Sequence, residues 1–475
     1  MTKPKEAFQI IIFGASGDLT KSKLIPALWN LYIRSKLPEN FSIIGVARRE
    51  WSDEDFATHM NQFINLENEK EKWETFASHL HFVSGDFEDK KIYTDLSDLI
   101  HKKDKEWDIE SEKIVYLAVS ANSYNTIIDG IDSCTLKDIC SIDTSKIVIE
   151  KPFGNDYSSA YKLNEKLTSI FNENQIYRID HVLGKDTLVD IDSFRDSNII
   201  FSDLFNNKYV DHIQISFLEN IGVGSRGKFY EETGVIRDML QNHLVEMLSI
   251  AIAPISQNEK EIYKSRARII DSLSLGSFTD VVVGQYESYT KERDVSEDSK
   301  VPTFIALKST LNTPEWKNVP VYFRTGKSLE QKFTEISIVF KSKSENVKPN
   351  ILSFRIQPQE GIYINVIKRK IGTEELENVS LDFCYKYDPK TILRDAYENL
   401  LLDVINSSRK YFVDIDEVLG AWKFVDPIVK EVESGRLPII KYKDGTWGPQ
   451  ESYELINQDA RKWYTEDFQL VCKLY

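Results

Sequence analysis

Cysteine, histidine and methionine are scarce in this chain of 475 residues, with four Cys, seven His and four Met. Cys134, Cys140, Cys384 and Cys472 have no CxxC or zinc-type spacing and are far too few for a secreted disulfide scaffold. No metal site is therefore expected, and a reducing cytoplasm is the expected home. No apolar run approaches the ~18 residues of a membrane span, and the short one before Gly14 leads into a turn, without the core or cleavage site of a signal peptide. With only 20 Gly and 14 Pro, collagen-like and low-complexity readings fall away. Basic charge is in deficit, 60 Lys and Arg against 75 Asp and Glu. The net charge of −15 repels nucleic acid and anionic membranes. An anionic small ligand would need a local basic pocket. What is present, 41% hydrophobic and 28% charged residues, suits a globular chain of two or three domains.

FQIIIF, Phe8 to Phe13, is a short and almost continuously apolar run, as in a strand covered on both faces of a parallel sheet. A tight turn, Gly14 to Leu19, follows. Next comes a segment with Leu24, Ile25, Leu28, Leu31 and Tyr32 at helical spacing, and Pro26 in its early turns. Phe41 to Arg48 reads as a second buried strand. Leu80 to Phe87, Lys113 to Val119 and Lys146 to Gly154 continue the alternation. These features predict a Rossmann-like doubly wound α/β domain over residues 1–180. From 181 to 475 the texture changes to short segments of period-two alternation, which predict a larger α+β domain with a big, mainly antiparallel sheet. Helical patterns interrupt it at Gly234 to Ala253 and from Ala396 to Val432. The charged stretches Ser288 to Lys300 and Lys341 to Asn350 read as surface loops.

A strand, a glycine-containing turn and a helix N-terminus make an anion site, because orphan amides and the positive helix end point at a phosphate. GASGDL fails the strict G-x-G-x-x-G pattern, with Ser16 and Leu19 in the places of the later glycines, and alone it also fits an ordinary βα turn. At the end of the second strand, where an NAD site usually carries a carboxylate, Ala47 is followed by Arg48 and Arg49. A guanidinium there suits a 2′-phosphate and so NADP over NAD, although two surface arginines would read the same way.

Of the seven histidines, His59, His79, His81, His101 and His212 lack a neighbouring constellation. His181 sits in a turn-like cluster with Arg178, Asp180, Gly184 and Lys185, a mixture suited to a phosphate. His243 sits on a segment whose Val235, Met239, Leu240, Leu244, Met247 and Leu248 form an apolar stripe. Asp238, Asn242 and His243 fall largely off that stripe.

Taken together, RIDHVLGK, EKPFG, GASGDLTKSK, RDMLQNH and RTGK resemble the motif set of the glucose-6-phosphate dehydrogenase family, from about residue 8 onward. DAYENLLLDVI and GTWGP look like its bacterial branch. The resemblance implies oxidation of glucose 6-phosphate at C1 to 6-phosphogluconolactone with hydride transfer to NADP, with some use of NAD. It implies His243 as general base and Asp180 as the carboxylate orienting it. Lys151, ahead of a candidate cis-proline, would meet substrate and coenzyme. His181 and Lys185 would hold the sugar phosphate, with Glu219, Asp238, Lys327 and Lys332 around the sugar. Gly14, Ala15, Ser16, Gly17, Asp18, Leu19 and Lys23 would serve the coenzyme phosphates, Arg48 the 2′-phosphate, and Asp86 and Tyr116 the remainder of the coenzyme. A homodimer or homotetramer is implied as well. Val182, where the family often carries Tyr, and Ala118 to Asn122, where Leu-Pro-Pro is common, depart from the pattern. KWYTEDF has no match to the second NADP site of animal relatives. Two other readings compete: an inositol- or glucose-fructose-type dehydrogenase of unphosphorylated sugars, and a non-catalytic NADPH-sensing regulator.

Overall fold

The computed structural model describes residues 6–66, 69–133, 145–344, 347–385 and 394–464. The chain forms two compact units. One comprises Met1–Gly154, Ser158–Gly184 and Arg394–Val413; the other comprises Asn155–Tyr157, Lys185–Leu393 and Asp414–Tyr475.

The first unit is built on six parallel strands, β1 (Ala7–Phe13), β2 (Asn40–Ala47), β3 (Leu80–Ser84), β4 (Glu112–Leu117), β5 (Ser145–Glu150) and β6 (Ile176–Ile179), in the order β3-β2-β1-β4-β5-β6. Every residue of β1 is buried, as its unbroken apolar run requires of a strand covered on both faces. Its one polar member, Gln9, donates from Nε2 to Ile100 O, Asp104 Oδ1 and Ser111 Oγ at 2.9–3.0 Å. The helix Lys90–Trp107 shows the usual logic of the covering layer. Asp89 caps it by accepting from the Lys91 amide, and Ile92, Tyr93, Leu96 and Ile100 form its buried stripe.

Residues Arg394–Val413 fold with this unit from far along the chain. Their helix, Ala396–Ile405, packs on Ile25–Ile33. Its Glu398, 2% exposed, accepts from Asn30 at 2.9 Å and Arg34 at 2.7 Å, so the buried carboxylate is paired. Lys146 donates to Val404 O, and the Val413 amide bonds Arg178 O at 3.1 Å.

The second unit carries a ten-stranded sheet. Its strands are β7 (Val210–Leu218), β8 (Leu273–Ser274), β9 (Val281–Tyr286), β10 (Phe304–Leu311), β11 (Pro320–Gly326), β12 (Phe333–Phe340), β13 (Ile351–Gln357), β14 (Gly361–Arg369), β15 (Leu376–Cys384) and β16 (Ile439–Tyr442). Their order is β15-β14-β13-β12-β7-β11-β10-β9-β16, with β8 beside β10. The pairs β7–β11 and β9–β16 are parallel and the rest antiparallel, which fits the expected mainly antiparallel sheet. The helical segments Asp186–Ser197 and Ile236–Ile252 pack on strands from β7 to β13. The helical patterns expected from Ala396 to Val432 form two helices, Ala396–Ile405 and Ile415–Glu433.

Candidate active site

In the first unit, Gly14 follows β1 with φ +91°, and a Cβ there would stand 2.3 Å from Ala118 O, so only glycine fits. The Gly14 and Ala15 amides bond Val46 O, and the Gly17 amide bonds Gly14 O. Three of the turn's amides thus hold its shape. Those of Ser16, Asp18 and Leu19 precede the first helix-type bond, Lys21 N to Gly17 O, and are placed as donors for a phosphate. That donor set at the carboxyl end of β1 fits a pyrophosphate. Lys23 lies on a π-helical turn, Thr20–Leu24, and pairs with Asp395 at 2.9 Å. Arg48 and Arg49 are exposed just past β2. Asp86 is exposed beyond β3, where it accepts from the Glu88 amide at 3.1 Å.

Tyr116, in contrast, has no exposed surface. It donates to Glu150 Oε1 at 2.6 Å, so it supports the end of β5 and offers no face to a ligand. Tyr397 reaches the same oxygen at 3.2 Å, and Tyr124 donates to Glu150 O at 2.8 Å. Burial pushes the Glu150 pKa up to about 7 against the two phenol donors and Lys151, with Asp180 adding to the rise. Lys151 follows, and the Lys151–Pro152 bond is cis.

Asp180 is fully buried after β6, and its Oδ1 accepts from the Val182 amide at 3.0 Å. Val182 is itself fully buried, an environment that suits its apolar side chain. His181 is half-buried. Gly184 lies in a turn, as expected, and also serves close approach, since a Cβ would stand 2.6 Å from Ala396 O.

In the second unit, Ile236–Leu244 is a nine-residue π-helix, a rare geometry that concentrates at functional sites. Its i→i+5 bonding brings Asp238 and His243, five apart, toward one side of the helix. The expected polar face is buried too: Asp238 is 7% exposed, Asn242 6% and His243 1%. The His243 amide donates to Asn242 Oδ1 at 2.6 Å, and Phe217 of β7 lies 5.7 Å from the imidazole, ring to ring.

Lys327 is 1% exposed and donates to Glu219, and its ammonium stands 5.3 Å from the Tyr230 ring. Lys332 is exposed. Lys185 occupies the N-cap position of Asp186–Ser197, where the helix dipole favours an anion, and donates to Gln357 Oε1 at 3.2 Å. Gln357 precedes a second cis-proline, Pro358, and was not singled out from the sequence. Only its contact with Lys185 marks it.

A family model described as "Glucose-6-phosphate dehydrogenase, NAD binding domain" matches residues 11–190, and one described as "Glucose-6-phosphate dehydrogenase, C-terminal domain" matches residues 193–464. The chain belongs to the glucose-6-phosphate dehydrogenase family. Glucose-6-phosphate 1-dehydrogenase of Chlamydia pneumoniae is 36% identical, covering 96% of this chain and 95% of its own, and that of Bacillus subtilis is 34% identical, covering 96% and 98%. A solved glucose-6-phosphate dehydrogenase in complex with its substrate glucose-6-phosphate matches with a TM-score of 0.91 at 28% identity, covering 98% of this chain and 100% of that one. Within this family frame, the Rossmann-like unit is the nicotinamide-coenzyme half. Among the described residues no helix is long and apolar enough to cross a membrane.

Proposed function

We propose that the chain oxidises D-glucose 6-phosphate at C1 to 6-phospho-D-glucono-1,5-lactone and passes the hydride to NADP, the first step of the oxidative pentose phosphate pathway. The observation that carries this reading is end-to-end likeness to a substrate-bound relative, joined to family models that between them span residues 11–190 and 193–464. The substrate named for the relatives is the phosphorylated sugar, which favours it over unphosphorylated sugars and over a regulator without turnover.

In this reading His243 takes the C1 hydroxyl proton as the C1–H bond gives up its hydride and the C1–O bond becomes a carbonyl. An imidazole is mostly neutral near its unperturbed pKa of about 6.5 and still basic enough for the task. Asp180 accepts from the other ring nitrogen, which fixes the tautomer and stabilises the imidazolium. His181 and Lys185 take the phosphate. Glu219 and Asp238 accept from sugar hydroxyls, and Lys327 and Lys332 donate to the sugar. Lys151 meets both substrate and coenzyme. Hydride acceptance is the chemistry that a bound nicotinamide supplies.

Arg48, exposed past β2 with Arg49 next to it, supports NADP as the preferred coenzyme, with NAD as a weaker one. The working form is a homodimer or homotetramer; exposed Leu376, Leu381 and Phe383 on β15 support self-association. The test is formation of reduced nicotinamide, followed by absorbance, with glucose 6-phosphate or glucose and with NADP or NAD. Rapid turnover of the phosphorylated sugar with NADP is expected. Equal rates with free glucose would remove the substrate assignment, and a preference for NAD would remove the coenzyme assignment.

A further inference from the structure

Lys327 stands in the turn after β11 as an enclosed ammonium. It is 1% exposed, and among the described residues the acceptor for its three N–H donors is the Glu219 carboxylate. The Tyr230 ring, 5.3 Å away, offers its face to the charge. An enclosed ammonium with further donors suits sugar hydroxyls, and the inference rests on the reading of Lys327 as a donor to the sugar.

Segments distant in the sequence tie down the backbone on both sides of Lys327. Its amide donates to Thr303 O at 3.0 Å, and its carbonyl accepts from the hydroxyl of Tyr442, 115 residues further along the chain, at 2.6 Å. Tyr442 is the last residue of β16 and 3% exposed, and Thr303 Oγ1 lies 3.2 Å from the same hydroxyl. The next residue of the turn, Ser328, has φ +52°, a conformation that few side chains adopt without support. That support comes from the segment after β16. Asp444 Oδ1 accepts from Ser328 Oγ at 2.9 Å, the Gly445 amide donates to Ser328 O at 2.8 Å, and the Glu330 amide donates to Thr446 O at 2.9 Å. The same turn fixes the partner carboxylate: the Glu219 amide donates to Gly326 O at 3.0 Å, and the Leu329 amide to Glu219 O at 2.9 Å. A shift of the turn would move both members of the ion pair.

We propose that Tyr442 is a positioning residue for the sugar pocket: by holding the Lys327 carbonyl it places the Lys327 ammonium, and so sets the affinity for glucose 6-phosphate. A lysine stem carries its ammonium wherever the Cα goes, and a displacement of about 1 Å takes a donor out of hydrogen-bond range of a hydroxyl. The effect belongs to binding, because neither Tyr442 nor Lys327 takes part in the proton transfer at C1.

The test is steady-state kinetics of the full chain with glucose 6-phosphate and NADP. Lys327→Ala should raise KM for the sugar phosphate at least about tenfold; an unchanged KM would remove the reading beneath the inference. Tyr442→Phe should raise the same KM roughly fivefold, as for one lost hydrogen bond, and leave kcat and KM for NADP within about twofold. In a Lys327→Ala background it should add nothing, since a residue that acts through the ammonium has no effect once the ammonium is gone. Tyr286→Phe is the control. Its ring lies 6.4 Å from that of Tyr442, but its hydroxyl bonds Glu292 and the Val223 amide, so KM should stay where it is. An unchanged KM in Tyr442→Phe, an equal rise in Tyr286→Phe, or the same factor in the Lys327→Ala background would overturn the proposal and leave the reaction in place. Asp444→Ala, which releases Ser328 from the same segment, carries the test with the same expectations if Tyr442→Phe fails to fold.

Discussion

An imidazole with 1% of its surface exposed has little water to exchange protons with, so the groups that orient it must belong to the protein. Replacing His243 with Asn, which keeps a polar group of similar reach, should lower kcat by roughly 10²–10⁴ and leave KM for the sugar phosphate nearly unchanged. Steady-state kinetics with near-full turnover would take His243 out of the mechanism. Lys185 should behave differently, because binding is its proposed task. Lys185→Ala should raise KM for glucose 6-phosphate at least tenfold with a smaller change in kcat, and an unchanged KM would remove it from the phosphate pocket. Single residues stood out in the sequence where a motif string carried them, as with His181, His243 and Lys151. They were illegible where burial decides. Lys327 by itself reads as a solvated lysine, yet it is enclosed with Glu219 and Tyr230. Gln357 has no local signal because its relevance comes from Lys185, far away in the sequence.

Two π-helical stretches, Thr20–Leu24 and Ile236–Leu244, hold Lys23 and His243. Hydrophobic spacing predicted helices at both places but cannot tell an i→i+4 pattern from an i→i+5 one, so the π-helical geometry was hidden. Strands β6, β8, β10, β15 and β16 were also not singled out. β8 and β16 are too short to show a period, and β15 is exposed along most of its length. β7 joins the C-terminal region through a polar network with a pH signature. Arg461 pairs with both carboxylate oxygens of Asp211 at 2.7 and 3.1 Å, and His212 bonds the same group at 2.6 Å. Burial alone would raise the Asp211 pKa, but the hydrogen bonds from His212 and Arg461 outweigh it and hold the carboxyl well below the usual range. Its folded-state pKa lies below the unfolded value of about 3.9, so it stabilises the fold above that pH, and the contribution is lost as pH falls toward the folded value. Urea melts should therefore show Asp211→Asn to be less stable than the parent at pH about 6, with the gap narrowing as pH falls below about 4. A gap that stays constant over that range would separate Asp211 from the acid response.

At the scale of the whole molecule, a net charge of −15 opposes ligands that are themselves anions. Raising salt from about 10 mM to about 100 mM shortens the Debye length from ~30 to ~10 Å, which screens the distant repulsion before it weakens contacts inside the pocket. The association rate of NADPH, followed by stopped-flow fluorescence, should rise over that interval. A steady fall would mean that local basic groups, Arg48 among them, dominate the approach. The change of texture near residue 180 made two architectures legible from sequence, because period-two alternation and buried parallel strands look different. No local pattern could assign Arg394–Val413 to the first unit, since it is partners far away in the sequence, such as those of Glu398, Val404 and Val413, that reveal it. This has a consequence for biosynthesis. As the ribosome delivers the chain, the Rossmann sheet emerges early, but Arg34 must wait for Glu398 and Arg178 for Val413. The part translated first is among the last to be completed, and until then a nascent chain must shield its unfinished surface by other means.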